Sequence, residues 1–396
     1  MFHPLFLLLP LAALARSPPQ DTVCLNMIVK NEAAVIEAAL ESALALVDDW
    51  VIVDTGSTDG TQRIIRDFFY RENIEGHLLQ SEWVDFATNR NEALTAARRL
   101  SKSDYILFLD ADDVFELPSD QLNPIRGLTK PQYTINVKHG PLTHARAMLV
   151  RRDAPCAWHG VLHEYVACTG SQAARDLETT ALRLVVQGGG SRSRDPAKFA
   201  KDAEVLEQAL AQDPTNGRYA FYLAQSYRDA DQPEQALAAY LRAAAMPGAW
   251  SEEAFYSWYQ AAQIMIQLKR PTSNITRAFL EAHARSPQRL EAMHGLASYL
   301  RQQDDFVPCF VYASAFACME LGTVDNVLSG PILFKEQWIY DYGLADELSI
   351  CAYYVGQFRL SLTVADTLLR QNKMPQGVVE RVQANRAFAA AALGVK

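Results

Sequence analysis

Two short apolar runs, Trp50 to Val53 and Tyr105 to Leu109, each end in acid, and this restricts the fold more than anything else in the chain. The first opens into the turn Asp54 to Thr61 and the second into Asp110-Ala111-Asp112-Asp113. Runs of this length read as buried parallel strands. Carboxylates at the carboxyl ends of such strands fall in the crevice where open α/β sheets bind ligands. Three aspartates within four residues repel one another unless something positive sits among them, and hard oxygen ligands suit Mg²⁺ or Mn²⁺. A divalent ion held there would in turn hold a diphosphate.

The segments around these runs alternate. Val23 to Val29 reads as a strand, Glu32 to Val47 has helical spacing, Trp50 to Asp54 is a strand and Asp59 to Tyr70 a helix. A weaker strand at Gly76 to Leu79 and a helix at Phe86 to Leu100 lead into Tyr105 to Leu109. Such alternation implies βαβ units and a parallel sheet. Right-handed crossovers bring Asn31, Asp54 and Asp110 to one edge. Strand-like runs at Tyr133 to Lys138, Ala147 to Val150, Val161 to Val166 and Ala181 to Val186 extend the sheet.

Three consecutive glycines, Gly188 to Gly190, break the pattern with a mobile connection. Beyond Pro196 the chain reads as helix throughout. The expected organisation is a signal-like leader over 1–21, an α/β domain over 22–187, a Gly-rich linker or lid over 188–196 and a helical domain over 197–396. Within the helical part, Ala220, Leu223, Ala224, Tyr227, Ala236, Tyr240, Ala243 and Pro247 occupy the small and aromatic positions of a tetratricopeptide repeat. That repeat has a period of about 34 residues. Ala292 to Phe316 fits the pattern loosely and Leu348 to Leu368 better. Stacked helix pairs form a concave surface that can hold a partner, or they simply buttress the α/β domain.

A net charge of −9 argues against nucleic acid and anionic membrane surfaces, which call for a basic face. Six scattered cysteines without a Cys-x-x-Cys pair argue against structural zinc. Cys156 with Cys168, or Cys309 with Cys318, could pair in an oxidising compartment. Pro4 to Ala15 is apolar but shorter than the roughly 20 residues a bilayer span needs. No other stretch would span a membrane either. Location is cytoplasmic or the secretory-pathway lumen, depending on whether residues 4–15 act as a signal. A sequon at Asn274-Ile275-Thr276 matters only in the second case.

Leu25 to Thr61 together with the Phe108 to Asp113 stretch resembles family 2 glycosyltransferases of the GT-A fold. Trp158 to Val166, Gly188 to Leu210, Arg218 to Leu237 and Ile339 to Phe358 resemble a branch of that family that carries tetratricopeptide repeats. The resemblance implies a Rossmann-like, mostly parallel GT-A catalytic domain followed by an all-α tetratricopeptide-like domain. It implies inverting transfer of a sugar from a nucleotide-sugar donor, UDP-linked first among the candidates, to a glycan or protein acceptor, assisted by Mn²⁺ or Mg²⁺. Asn31, Glu32, Asp54, Arg90, Asp110 and Arg192 would contact the donor. Asp110 and Asp112 of the DXD motif, with His163, would hold the metal, and Glu164 would be the base.

Each of these residues also has a plainer structural reading. Asp54 and Ser57 can cap a turn, Glu32 can favour a helix dipole, and Trp158 in a strand is commonly core. Arg192, Arg194 and Lys198 could close over a diphosphate. Two positions depart from the family pattern. Thr55 stands where many relatives have a second acid, and Gln187 stands where relatives often have His, which weakens the case for a third protein ligand. The rival readings are an inactive scaffold whose helical repeats bind a protein, and a nucleotidyltransferase or sugar-nucleotide hydrolase. The absence of a P-loop or Gly-x-Gly-x-x-Gly after the first strand disfavours the latter pair.

Overall fold

A computed structural model of the chain describes residues 21–117, 125, 127–140, 142–169, 175–176, 182–314 and 332–395. These divide between Pro196 and Ala197 into two compact units. The apolar leader, Cys318, Ala181 and the end of the loose repeat at Phe316 lie outside the described residues.

The first unit is organised on β1 (Val23–Val29), buried along almost its whole length. Parallel neighbours flank it, β2 (Asp49–Asp54) on one side and β4 (Tyr105–Phe108) on the other. β3 (Gly76–Gln80) extends the sheet beyond β2. The crossovers are α1 (Ile36–Ala43), α2 (Thr61–Glu72) and α3 (Phe86–Leu100). Alternating side chains of the sheet feed two apolar layers. Leu25, Met27, Ile52 and Leu107 pack with Ile36, Leu40, Ile65 and Phe68 on one face. Val51, Ile106 and Phe108 pack with Leu94 and Ala97 on the other. The entry to α3 is fixed by Asp85, whose carboxylate accepts from the Thr88 amide at 2.8 Å. Gly76 is required by close approach, since a Cβ there would lie 2.4 Å from the Trp50 ring.

Beyond β4 the sheet turns antiparallel. β7 (Leu142–Arg151) lies between β4 and β6 (Gln132–His139). β11 (Arg183–Val186) runs parallel to β6 and antiparallel to β5 (Asp113–Glu116). The order is β3-β2-β1-β4-β7-β6-β11-β5, with the two-residue β10 (Arg175–Asp176) beside β6. The acidic turn therefore runs straight into β5, a strand the sequence pattern did not announce. The strand expected over Val161 to Val166 is a different object. β8 (Cys156–His159) and β9 (Tyr165–Cys168) form a separate two-stranded ribbon, and Val161 to Glu164 belong to its turn. Gly160 and His163 both adopt positive φ there, 97° and 51°. A left-handed bend of this kind ends a strand.

Cys156 and Cys168 pair directly across the ribbon. The alternative pairing of Cys309 with Cys318 is not what the fold makes: Cys309 bonds Cys351, 42 residues on. Cys24 is free and buried, and that burial pushes its thiol far above its ordinary range.

The second unit is a run of antiparallel helices. α4 (Lys198–Gln212) precedes the pairs α5 (Gly217–Asp229) with α6 (Pro233–Ala245) and α7 (Ser251–Gln267) with α8 (Thr272–Arg285). α7 begins 34 residues after α5, which is the tetratricopeptide period. Ala220, Leu223, Ala224, Ala236, Tyr240 and Ala243 are buried, as that pattern implies. α9 (Glu291–Gln302), α10 (Phe306–Ser314), α11 (Leu344–Tyr354), α12 (Phe358–Gln371) and α13 (Gln376–Leu393) continue the array. α10 and α11 are joined by the Cys309–Cys351 bridge.

The chemical centre of this unit is Arg289, which is 1% exposed. Its Nη1 donates to Glu252 at 2.6 Å and to the Leu333 carbonyl at 2.7 Å, while Nη2 donates to Glu291 at 2.7 Å. The guanidinium lies 4.2 Å over the Phe255 ring, and Tyr340 donates to Glu291 at 2.7 Å. Arg289→Ala leaves two buried carboxylates without their counter-ion, and breaking a buried pair costs about 3–5 kcal/mol. The helical unit's unfolding midpoint in denaturant should fall accordingly, whereas an exposed Arg277→Ala should leave it unchanged. Cross-linking residues 309 and 351 removes chain entropy from the unfolded state, about 4 kcal/mol for a loop of that length. Cys351→Ser should therefore lower the same midpoint, and peptide mapping under non-reducing conditions should recover the Cys309–Cys351 peptide.

Candidate active site

The carboxyl edge of the parallel strands collects most of the expected residues. Asp54 ends β2 and is completely buried. Its Oδ1 accepts from the Gly56 and Ser57 amides at 2.9 and 2.8 Å and from Gln62 Nε2 at 3.1 Å. Its Oδ2 is buried without a hydrogen-bond partner. The turn-closing role is thus realised on one oxygen, and the other remains an unused acceptor.

Asn31 follows β1 with φ of 58°. Its amide donates to Ser57 Oγ and its Oδ1 accepts from the Thr58 amide, both at 2.8 Å. The two strand-end loops are thereby sewn together. Glu32 does not open a helix, because α1 starts four residues later. Instead its carboxylate accepts from Ser191, through the amide at 3.1 Å and the hydroxyl at 3.0 Å. Burial raises the Glu32 carboxyl above its ordinary range; the Ser191 donors oppose the shift and the nearby Asp112 charge adds to it.

The loop after β11 comes down on the acidic turn. The Gly190 amide donates to Asp112 Oδ2 at 3.2 Å, and a Cβ at Gly190 would lie 2.7 Å from that oxygen. Arg194 reaches the Asn31 carbonyl at 3.5 Å. Arg192 lies over the Phe86 ring at 4.7 Å. Lys198 is the first residue of α4 in the second unit.

Arg90, on α3, holds the centre. Its Nε donates to Glu164 Oε1 at 2.7 Å, and its Nη2 makes a very short ion pair with Asp110 Oδ1. Its face lies 4.7 Å from the Trp158 ring. Trp158 is 3% exposed and packs on Phe108, while its backbone N–H donates to Asn91 Oδ1 and its carbonyl accepts from Asn91 Nδ2, so it is core, as its strand position suggested. Asp110 receives a second guanidinium, Arg146 Nη1, at 3.1 Å. Burial works against its charge, but the two arginines hold the Asp110 carboxyl far below its ordinary range. Asp113 has the opposite fate. Burial first, then Asp110 and Asp112, push its carboxyl up to about 7.

Sequence reasoning did not find Arg146. The signal was in the antiparallel register Leu107↔Leu149, which three residues further on sets Asp110 opposite Arg146.

The trio Asp110, Asp112 and His163 is not brought together as a ligand set. Among the described residues, the group whose ligand atoms all lie within 4.8 Å of one another is Cys309, Glu347 and Cys351, whose two cysteines form the disulfide. His163 is exposed in the ribbon turn. Gln187 comes directly after Val186, the partner of Asp113, and so follows the register to the level of Asp112. Both Asp110 oxygens hold guanidiniums, so Asp112 is the carboxylate of the turn best placed to take a hard cation.

Among the described residues, no helix is long and apolar enough to cross a membrane. Residues 24–121 match the family model for glycosyl transferase family 2. The chain is 38% identical over 139 residues to a TPR repeat-containing protein of Synechococcus elongatus, covering 34% of this chain and 32% of the relative. It is 33% identical over 87 residues to an uncharacterized glycosyltransferase of Rickettsia bellii, covering 22% of this chain and 26% of the relative. The chain thus spans a third or less of the length of these curated relatives. Among solved structures, MamA aligns with a TM-score of 0.35 and 11% identity, over 47% of this chain and 95% of that one. The match to the family model covers Asn31, Glu32, Asp54, Arg90, Asp110 and Asp112, while His163, Glu164 and Arg192 lie beyond it. The chain carries a glycosyl transferase family 2 domain in residues 24–121, joined to a helical unit of the tetratricopeptide type.

Proposed function

We propose that this protein transfers a sugar, with inversion, from a nucleotide-sugar donor to the hydroxyl or other nucleophile of a glycan or protein acceptor. The observation that carries the reading is the ion-pair chain Glu164–Arg90–Asp110, which joins a ribbon-turn carboxylate to the acidic turn at the sheet's ligand-binding edge. Glu164 is the base: it takes the acceptor's proton as the nucleophile forms its bond to the anomeric carbon. The bond from that carbon to the diphosphate breaks on the opposite side. Asp112, with Asp110 behind it, would hold Mn²⁺ or Mg²⁺, which supplies Lewis-acid neutralisation of the leaving diphosphate. Asp54 Oδ2, a buried acceptor in need of a donor, suits the imide N–H of uracil once the strand-end loop opens to admit the base, which favours a UDP-linked donor. Asn31, Glu32 and Arg192 shape the donor loop around it. The helical unit is read as the part that selects a protein acceptor through its concave face.

A second reading, a donor-binding domain without transfer activity serving a helical scaffold, is favoured by one observation. Glu164 is engaged by Arg90 at 2.7 Å, so a base must leave or share that bond to work.

Incubation of the full chain with UDP-, GDP- and dTDP-sugars, each with Mn²⁺ or chelator, should give metal-dependent release of one nucleoside diphosphate. Glu164→Gln should cut turnover by roughly 10²–10⁴-fold, the usual contribution of a general base, with donor binding retained. Asp112→Ala should abolish the metal dependence. Turnover unchanged in Glu164→Gln would leave the scaffold reading in possession.

The acidic turn also sets a pH response of stability. A carboxyl raised to about 7 in the fold holds its proton more tightly there than in the unfolded chain. Its contribution is fully present below its ordinary value of 3.8 and is lost as pH rises to about 7. Asp110 runs the other way, but its loss comes only at more acidic pH. In chelator, the melting temperature of Asp113→Asn should therefore gain on that of the unsubstituted protein by several degrees between pH 4 and 8. Parallel curves would contradict this assignment.

A further inference from the structure

Two arginines grip Asp110, and they differ in what they have left to offer. The Arg90 side chain is 7% exposed. Its Nε is given to Glu164, its Nη2 to Asp110, and one face to Trp158. Of its nitrogens only Nη1 is left for a phosphate, and the side chain is almost wholly enclosed. Arg146 stands on β7, an interior strand of the sheet, with a side chain 29% exposed. Among the described residues its one side-chain hydrogen bond is the 3.1 Å contact to Asp110 Oδ2. A guanidinium carries five N–H donors in a planar fork that matches phosphate oxygens, so most of this one's capacity is unspent.

The other cations near the turn are tied differently. Arg192 rests on Phe86, and Arg194 is an exposed loop residue whose longest reach is the Asn31 carbonyl. A group borne on a strand or helix is held more closely than one on a loop, as a bound anion requires.

We propose that Arg146, rather than Arg90, is the protein cation that binds the donor's diphosphate, and that Arg90 is a positioning residue fixing Glu164 and Asp110. The inference rests on the donor reading above. In the free protein the Asp110 carboxylate keeps the Arg146 guanidinium beside the acidic turn. A diphosphate arriving there takes the unspent N–H donors without unseating Arg90.

The test is equilibrium binding of UDP to the full chain by calorimetry, in chelator and in Mn²⁺, with melting temperature recorded for every variant. Losing charge-assisted hydrogen bonds to a phosphate should weaken UDP binding by roughly 10- to 100-fold in Arg146→Ala. Arg146→Lys should recover part of the loss, because charge returns without the fork. The melting temperature of both should stay within a few degrees of the parent. Arg90→Lys should show the reverse pattern: a clear drop in melting temperature and in turnover, with a smaller change in UDP affinity where the fold survives. UDP binding unchanged in Arg146→Ala would overturn the inference and leave the donor reading standing. An equal loss in Arg146→Ala and Arg146→Lys with a matching fall in melting temperature would also overturn it, as the signature of a purely structural contact. If the parent protein binds none of UDP, GDP or dTDP, the donor reading fails and this inference fails with it.

Discussion

The first unit's chemistry depends on one buried cation. A guanidinium with 7% exposure would be prohibitive alone, and Arg90 is tolerated because Asp110 and Glu164 both reach it. The two carboxylates raise its affinity for its proton despite burial. The arrangement acts in both directions: Arg90 also decides where the carboxylates stand. Asp110 comes from a strand end 20 residues away and Glu164 from a ribbon turn 74 residues away. α3 is bonded to the ribbon through Asn91 and packs on β4, and the planar fork of Arg90 adds the contact that holds the two carboxylates themselves. Lysine, a point charge, would keep the attraction and lose the geometry.

Around this pair the site is built from loops that hold one another. Asn31 ties the end of β1 to the turn after β2, and Glu32 with Asp112 receives successive amides of the Gly190–Ser191 segment. Gly190 suits this closure, because a Cβ there would force the Asp112 carboxylate to shift. Two neighbouring carboxylates that repel one another are each given a backbone N–H donor there. A ligand entering at Asp112 competes with a backbone N–H rather than with water alone.

How much of this the sequence disclosed depended on range. β1, α3 and the strand ends at Asp54 and Asp110 were legible because local apolar periodicity and N-capping determine them. The boundary near Pro196 was legible because composition changes abruptly. What stayed hidden were features set by pairing at a distance. β5 carries only four residues, and its strand character comes from β11 rather than from its own pattern. The Val161 to Val166 run looked extended because it is apolar, but the left-handed bends at Gly160 and His163 decide it. Arg146 lay in an ordinary strand and acquired meaning only through register. Arg90 looked like a ligand-facing group, and burial against Trp158 turned the two into each other's support. Glu32 was read through the helix it precedes, whereas its partner sits 159 residues downstream.

The ribbon of β8 and β9 has a consequence of its own. It shares no ladder with the main sheet among the described residues; Asn91, Arg98 and Gln132 fasten it through bonds to its backbone or to the segment leading into it. Its open end is closed by the Cys156–Cys168 bond, so it holds its own shape. Such a part can lengthen, shorten or change its turn without moving the register of any strand that carries the acidic turn.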